Sequence, residues 1–235
     1  MALDDAGLKR LVTDLLTTKS ERTKQRKIGA SSIGNPCPYC LAHALIGTEQ
    51  RQGKYWLGAK IGDAIHKLLE TEASKHVDKP ENYRFNALKN ARLEEKVFIG
   101  NIPGYGDVFS TPDLYLSTEN HLVDYKTSKR IKVEQYRLSG KLPIKYLYQV
   151  QLYARALIRA GYPVDKISFV FINRDGTGER DVVVFSVDYD EKLADKAWDR
   201  VVSAWKWLEA GGDPEILPSD PDCYVCDQVL HRMGP

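Results

Sequence analysis

Apolar residues recur at helical spacing in several segments of the chain. Residues 3–16 carry Leu8, Leu11, Val12 and Leu15 along one side, and residues 55–74 do the same with Leu57, Ile61, Ile65, Leu68 and Leu69. A third helix is predicted over 144–160, ended by Gly161 and Pro163, and a long amphipathic one over 189–210, stopped by Gly211, Gly212 and Pro214. A short helix fits 40–46. Between these lie runs that read as strands: 92–99, 112–116, 121–126, 167–172 and 181–187. The second and third flank the polar turn Ser117–Asn120, a hairpin signal, and the last two flank a turn at 173–178. The order is helices, strands, a helix, strands and a helix. It predicts an α/β fold with a mixed central sheet flanked by helices, too irregular in spacing for a doubly wound parallel sheet.

Composition adds bounds to this outline. With 235 residues, 43% hydrophobic and 28% charged, the chain suits one globular domain, residues 1–235. No apolar run approaches the roughly 18 residues that cross a bilayer, and the first residues lack a signal-peptide core, so a cytoplasmic protein without a membrane partner is expected. Trp198 and Trp205, with Val201, Val202 and Leu208, form an apolar stripe suited to the core. The net charge of +2 does not by itself call for nucleic acid. Local charge is more telling: residues 19–27 and 126–145 are both strongly basic, as phosphate contacts require.

Chemistry concentrates in residues 111–129, TPDLYLSTENHLVDYKTSK. Asp124 and Lys126 are two apart on a strand, so both side chains leave one face, and Tyr125 points the other way, towards the core. If the hairpin is centred between Thr118 and Glu119, Asp113 lies opposite Asp124. Opposed β-carbons on antiparallel strands are about 4.5–5.5 Å apart, close enough for two carboxylates to repel. A divalent cation such as Mg²⁺ or Mn²⁺ resolves that conflict, with the Tyr125 carbonyl as a further oxygen. Such a site suits phosphodiester hydrolysis, with Lys126 orienting water or neutralising developing charge. A surface hairpin with a cross-strand Asp/Lys salt bridge has the same local pattern.

This segment resembles the PD-(D/E)XK nuclease signature, Pro112-Asp113 supplying the first half and Asp124-Tyr125-Lys126 the second. Its D-Y-K-T form is similar to the RecB-like branch, which includes recombination nucleases, CRISPR-adaptation nucleases and phage exonucleases. Asp107, in Gly104-Tyr105-Gly106-Asp107, is a rival first aspartate that the hairpin register disfavours. Gly62-Asp63-Ala64-Ile65-His66 resembles the G-x-x-x-H element of this branch, which implies that His66 ligates the same ion. Glu70, one helical turn on, is then a candidate partner for His66. Gln149 and Tyr153 resemble the Q-x-x-x-Y motif, which implies a role in holding DNA and buttressing the site. Lys129 and Arg130 are candidate DNA contacts from the basic run.

Four cysteines form two C-x-x-C pairs, Cys37/Cys40 and Cys223/Cys226. Neither has the βαβ context of a redox pair, so a single four-thiolate site joining the two ends of the chain is expected. RecB-like relatives with terminal cysteines carry a [4Fe–4S] cluster, which the resemblance favours here. They place one cysteine before the core and three after it, whereas this chain has two and two, a spacing equally natural for Zn²⁺.

The resemblance therefore implies a restriction-endonuclease-like core over residues 55–187, with a cysteine-stapled cap from residues 29–47 and 217–235. Its partner would be DNA, single-stranded or with free ends, in recombination, repair or phage replication, alongside recombination or replication proteins. Rival readings are a CRISPR-adaptation nuclease that trims ends, and a zinc-stapled DNA-binding module that does not cut. Cleavage polarity and oligomeric state are left open.

Overall fold

The computed structural model describes residues 5–17, 28–48, 56–77, 79, 83–220, 223 and 225–226. The basic segment 19–27 and His231 lie outside these residues. Seven α-helices are described: α1 (Asp5–Thr17), α2 (Ala30–Gly34), α3 (Pro38–Leu45), α4 (Trp56–Ser74), α5 (Arg130–Ser139), α6 (Ile144–Arg159) and α7 (Glu191–Glu209). The strands are β1 (Arg92–Leu93), β2 (Val97–Ile102), β3 (Gly106–Ser110), β4 (Leu114–Leu116), β5 (His121–Ser128), β6 (Lys166–Asn173) and β7 (Val182–Val187).

Five strands make a mixed sheet in the order β1-β4-β5-β6-β7, and β2-β3 stand apart as a hairpin. The β5–β6 pair is parallel; its neighbours β4–β5 and β6–β7 are antiparallel. A parallel pair needs a long crossover, here the segment carrying α5 and α6. The architecture is the mixed sheet flanked by helices that the element order predicts, and the cysteines of both terminal regions meet.

On β5, Leu122, Asp124 and Lys126 share one face with the paired Phe169 and Phe171 of β6. That face is covered by α5 and α6: Tyr136 and Tyr146 pack their rings on Phe171. The core extends through α6 to α2 and α7, where Val150, Leu152, Ala154, Ala197 and Val201 are buried. Trp198, Val202, Trp205 and Leu208 pack against this core as their spacing predicts. Helix α6 ends at Gly161, whose φ of +89° is left-handed backbone that glycine adopts without a Cβ penalty. The Asp190 carboxylate caps α7 by accepting from the Leu193 N–H at 3.1 Å.

Several elements differ from the sequence reading. The run 92–99 is not one strand: Glu94 adopts a left-handed φ of +47°, which breaks it into β1 of the main sheet and β2 of the hairpin. The Gly/Ser stretch contains α2, a small-residue helix packed so closely on α6 that a Cβ on Gly34 would meet the Lys145 carbonyl oxygen at 2.5 Å. Strand β3 and helix α5 were unpredicted; α5 is polar around most of its surface, with Val133 its buried residue. The apolar sides of α1 and α4 do not enter the core, and Leu8, Leu15, Leu57 and Leu68 are exposed.

Candidate active site

The hairpin register is Leu114 with Val123, Tyr115 with Leu122 and Leu116 with His121. Continued by one residue, it sets Asp113 opposite Asp124. Asp113 is half-buried at the mouth of β4, and its Oδ2 accepts from the Tyr125 N–H at 2.7 Å, across the strand. Its other oxygen, Oδ1, lies 3.2 Å from Nδ1 of His66. His66 arrives from α4, which crosses the face of β5 that bears Tyr125 and Thr127. Gly62 lets α4 come close, since a Cβ there would stand 2.9 Å from Thr127 Oγ1. Tyr125 is therefore not a core residue: it is half-buried, lines the cleft, and meets the His66 ring edge-on at 5.9 Å between centroids.

Glu94 completes this cluster. One ligand atom from each of His66, Glu94 and Asp113 falls within 4.8 Å of the others, spacing that suits a shared cation. Glu94 escaped the sequence reading because its approach depends on the left-handed turn that also hydrogen-bonds its N–H to the Asp113 carbonyl at 3.2 Å. Glu70, expected beside His66, instead pairs with Lys67 at 3.0 Å. Neighbours one helical turn apart can share a ridge, but the nearer cation captured this carboxylate.

Asp124 lies one layer deeper, 1% exposed, in an ion pair with Lys126. Burial pushes its pKa up to about 6; Lys126 opposes the rise, Asp113 adds to it, and His66 opposes it. For His66, burial disfavours the charged ring, but the hydrogen bond and charge of Asp113 outweigh it and hold the pKa above the usual value. The donor set of Asp113, Glu94 and His66 fits a hard divalent metal; Asp124 is not one of this cluster, although it feels the charges of Asp113 and His66.

These groups sit in a cleft of about 840 Å³. Gln149 and Tyr153 line it from α6, joined by a 2.9 Å hydrogen bond from Gln149 Nε2 to the Tyr153 hydroxyl. Burial, followed by the Asp124 charge, pushes the Tyr153 hydroxyl pKa up, so it stays a neutral donor. Lys96, Lys145 and Arg174 also line the cleft, three cations the sequence reading did not single out. Arg174 follows the end of β6 and enters only because β6 lies parallel to β5, a pairing no local pattern reveals. Of the predicted DNA contacts, Lys129 is exposed next to α5, while Arg130 is committed to Asp181 at 2.8 Å. Asp107 belongs to the β2–β3 hairpin, exposed and bonded to Asn101 at 2.7 Å, away from this cluster.

At the other end of α2, Cys37, Cys40, Cys223 and Cys226 bring their sulfurs within 4.8 Å of one another. Cys37 and Cys40 open α3, and Arg200 of α7 fastens the preceding loop by donating to the carbonyls of Asn35 and Pro36, both at 2.9 Å. Burial pushes the Cys226 thiol pKa up to about 12 and raises that of Cys40 further. At Cys223 burial is outweighed by hydrogen bonds from Asn35 and the local backbone, which hold its thiol below the usual value. It is therefore Cys40 and Cys226 that resist ionising unless a cation joins them.

The sequence matches no protein-family model and no curated protein. Solved structures do share the fold. The protein SSO0001 aligns over 97% of this chain and 94% of its own length, with a TM-score of 0.51 and 16% identity. A candidate exonuclease from Eubacterium rectale aligns over 100% of this chain and 95% of its own, with a TM-score of 0.51 and 12% identity. An alkaline exonuclease from Laribacter hongkongensis aligns over 79% and 89%, at 0.49 and 13%. At these identities the first two establish a common α/β architecture. No helix among the described residues is long and apolar enough to cross a membrane.

Proposed function

We propose that this chain is a divalent-metal-dependent deoxyribonuclease, acting as an exonuclease on single-stranded or frayed DNA ends. The observation that carries this reading is the convergence of Asp113, Glu94 and His66 on one side of the buried Asp124–Lys126 pair, within an open cleft. The order of motifs along the chain supports a RecB-like member of the PD-(D/E)XK nucleases, and a shared fold with a candidate exonuclease is consistent with it.

Mg²⁺ or Mn²⁺ held by Asp113, Asp124, Glu94 and His66, with the Tyr125 carbonyl nearby, would polarise a phosphodiester and lower the pKa of attacking water. The chain's own groups do the remaining work. Lys126, paired with Asp124 in this structure, would orient the water or neutralise charge developing on the phosphate. Gln149 and Tyr153 present an amide and a hydroxyl to the strand. Lys96, Lys145 and Arg174 supply positive charge for backbone phosphates, contacts that position DNA without reading its sequence.

A labelled single strand incubated with Mn²⁺ tests the proposal. The wild-type chain should degrade it progressively, and Asp124→Ala and Lys126→Ala should each slow cleavage by two orders of magnitude or more, roughly the loss seen when a charge-stabilising group is removed. Undiminished metal-dependent cleavage by Asp124→Ala would overturn the mechanism.

A further inference from the structure

The four cysteines have a spacing that distinguishes one ion from a cluster. We infer that they bind a single tetrahedral Zn²⁺, where the family resemblance favours a [4Fe–4S] cluster. The Cys226 sulfur lies 3.3 Å from those of both Cys37 and Cys40, and Cys40 lies 3.6 Å from Cys223. Sulfurs bound to one zinc at about 2.3 Å stand at the corners of a tetrahedron with edges of about 3.8 Å. In a cubane cluster each thiolate binds a different iron at the cube's periphery, and bonds of similar length spread the sulfurs to roughly 6–7 Å. The observed distances lie near the first value, and the 4.8 Å limit on all four falls well short of the second.

The surroundings hold the sulfurs at this spacing. Cys37, Cys40 and Cys226 are buried with Tyr39, and Leu217 and Val225 pack against them. Two of the four sit at the start of α3, where Pro38 occupies the first turn and fixes their separation. Asn35 secures both pairs: its Oδ1 accepts from the Cys37 N–H at 3.0 Å and its Nδ2 donates to the Cys223 sulfur at 3.6 Å. Such a partner orients metal-bound thiolates. Four thiolates and one dication leave a charge of −2, and Lys145 and Arg200 stand near enough to Cys223 and Cys37 to interact with it. Opening the site to cluster size would push three buried side chains outward into packed neighbours.

Metal content decides the matter independently of nuclease activity. The full chain should be purified anaerobically from cells supplied with both iron and zinc, then analysed for metals and acid-labile sulfide. The expected result is one zinc per chain, no more than traces of iron, and a colourless protein that stays colourless after anaerobic incubation with ferrous iron and sulfide. Cobalt in place of zinc should give the intense visible bands of a tetrahedral tetrathiolate site, and Cys37→Ser and Cys223→Ser should each lose stoichiometric zinc. A brown protein with about four irons and four sulfides per chain, on the stoichiometry of the cluster, overturns the inference. So does a metal-free protein with freely reactive or disulfide-linked cysteines. If either variant fails to fold, the metal content of the wild-type chain still gives the answer.

Discussion

Asp124 is a carboxylate held where carboxylates are costly, and two outcomes follow from its burial. Its pKa of about 6 in the folded chain exceeds the ordinary 3.8. Between about pH 4 and about pH 6 the unfolded chain therefore gives up this proton before the folded one does, and stability falls as pH rises through that window. In the metal-free protein at pH 8, Asp124→Asn should raise the melting temperature by a few degrees while abolishing cleavage, since about 1 kcal/mol corresponds to roughly 2–4 °C for a chain of this size. Metal binding carries the opposite sign. A cation needs His66 neutral as well as the carboxylate ionised, and Asp113 holds His66 above its usual value. Mn²⁺ affinity measured by calorimetry should therefore still be rising above pH 6, with a separate step of proton release from Asp124 through about pH 6. The Asn variant should lose this step. The Asp124/Lys126 pair was legible in the sequence because strand alternation alone puts both side chains on one face. Asp113 was legible through the turn length. Glu94 and Arg174 were not, because each reaches the cleft through a backbone event outside its local pattern: a left-handed turn and a parallel crossover.

Helices α2 and α4 meet their neighbours through glycines, and these contacts set how the cleft is walled. Gly34 of α2 touches the backbone of α6 itself, which cannot yield as a side-chain tip can. Gly34→Ala should destabilise the fold by about 1–3 kcal/mol, the usual cost of overpacking, read as a lower urea midpoint with an unchanged slope. Gly62 faces Thr127 across the seam between α4 and β5, so Gly62→Ala should displace His66 from Asp113 and weaken Mn²⁺ binding more than it weakens folding. A mutant whose melting temperature collapses while its metal affinity persists would contradict that assignment. The long helices α6 and α7 were readable from periodicity because both bury a face in the core. Helix α2 was hidden by its composition: Gly and Ser usually mark loops, yet here their small size is what permits close packing. Helix α5 was hidden because most of its surface is polar.

The whole molecule is tied at its ends by the cysteine site and in its middle by the sheet. Cys37 and Cys226 are 189 residues apart in sequence, so a shared ion would close most of the chain into one loop. With the proposed zinc in place, site and fold would form together, so a strong chelator or Cys226→Ser should lower the melting temperature, and added Zn²⁺ should restore the chelated wild type but not the variant.

Strand β5 is the third of five, bonded on both edges, whereas α4 has no buried residue. One half of the proposed catalytic set is thus anchored in the centre of the sheet, and the other half rides on a helix held by its contacts with β5, β1 and α1. Amide hydrogen exchange should show Asp124–Lys126 among the slowest positions and α4 opening independently. Saturating Mn²⁺ should slow exchange along α4 and leave β5 unchanged, so that binding the ion completes the docking of a wall that the polypeptide by itself leaves loosely seated.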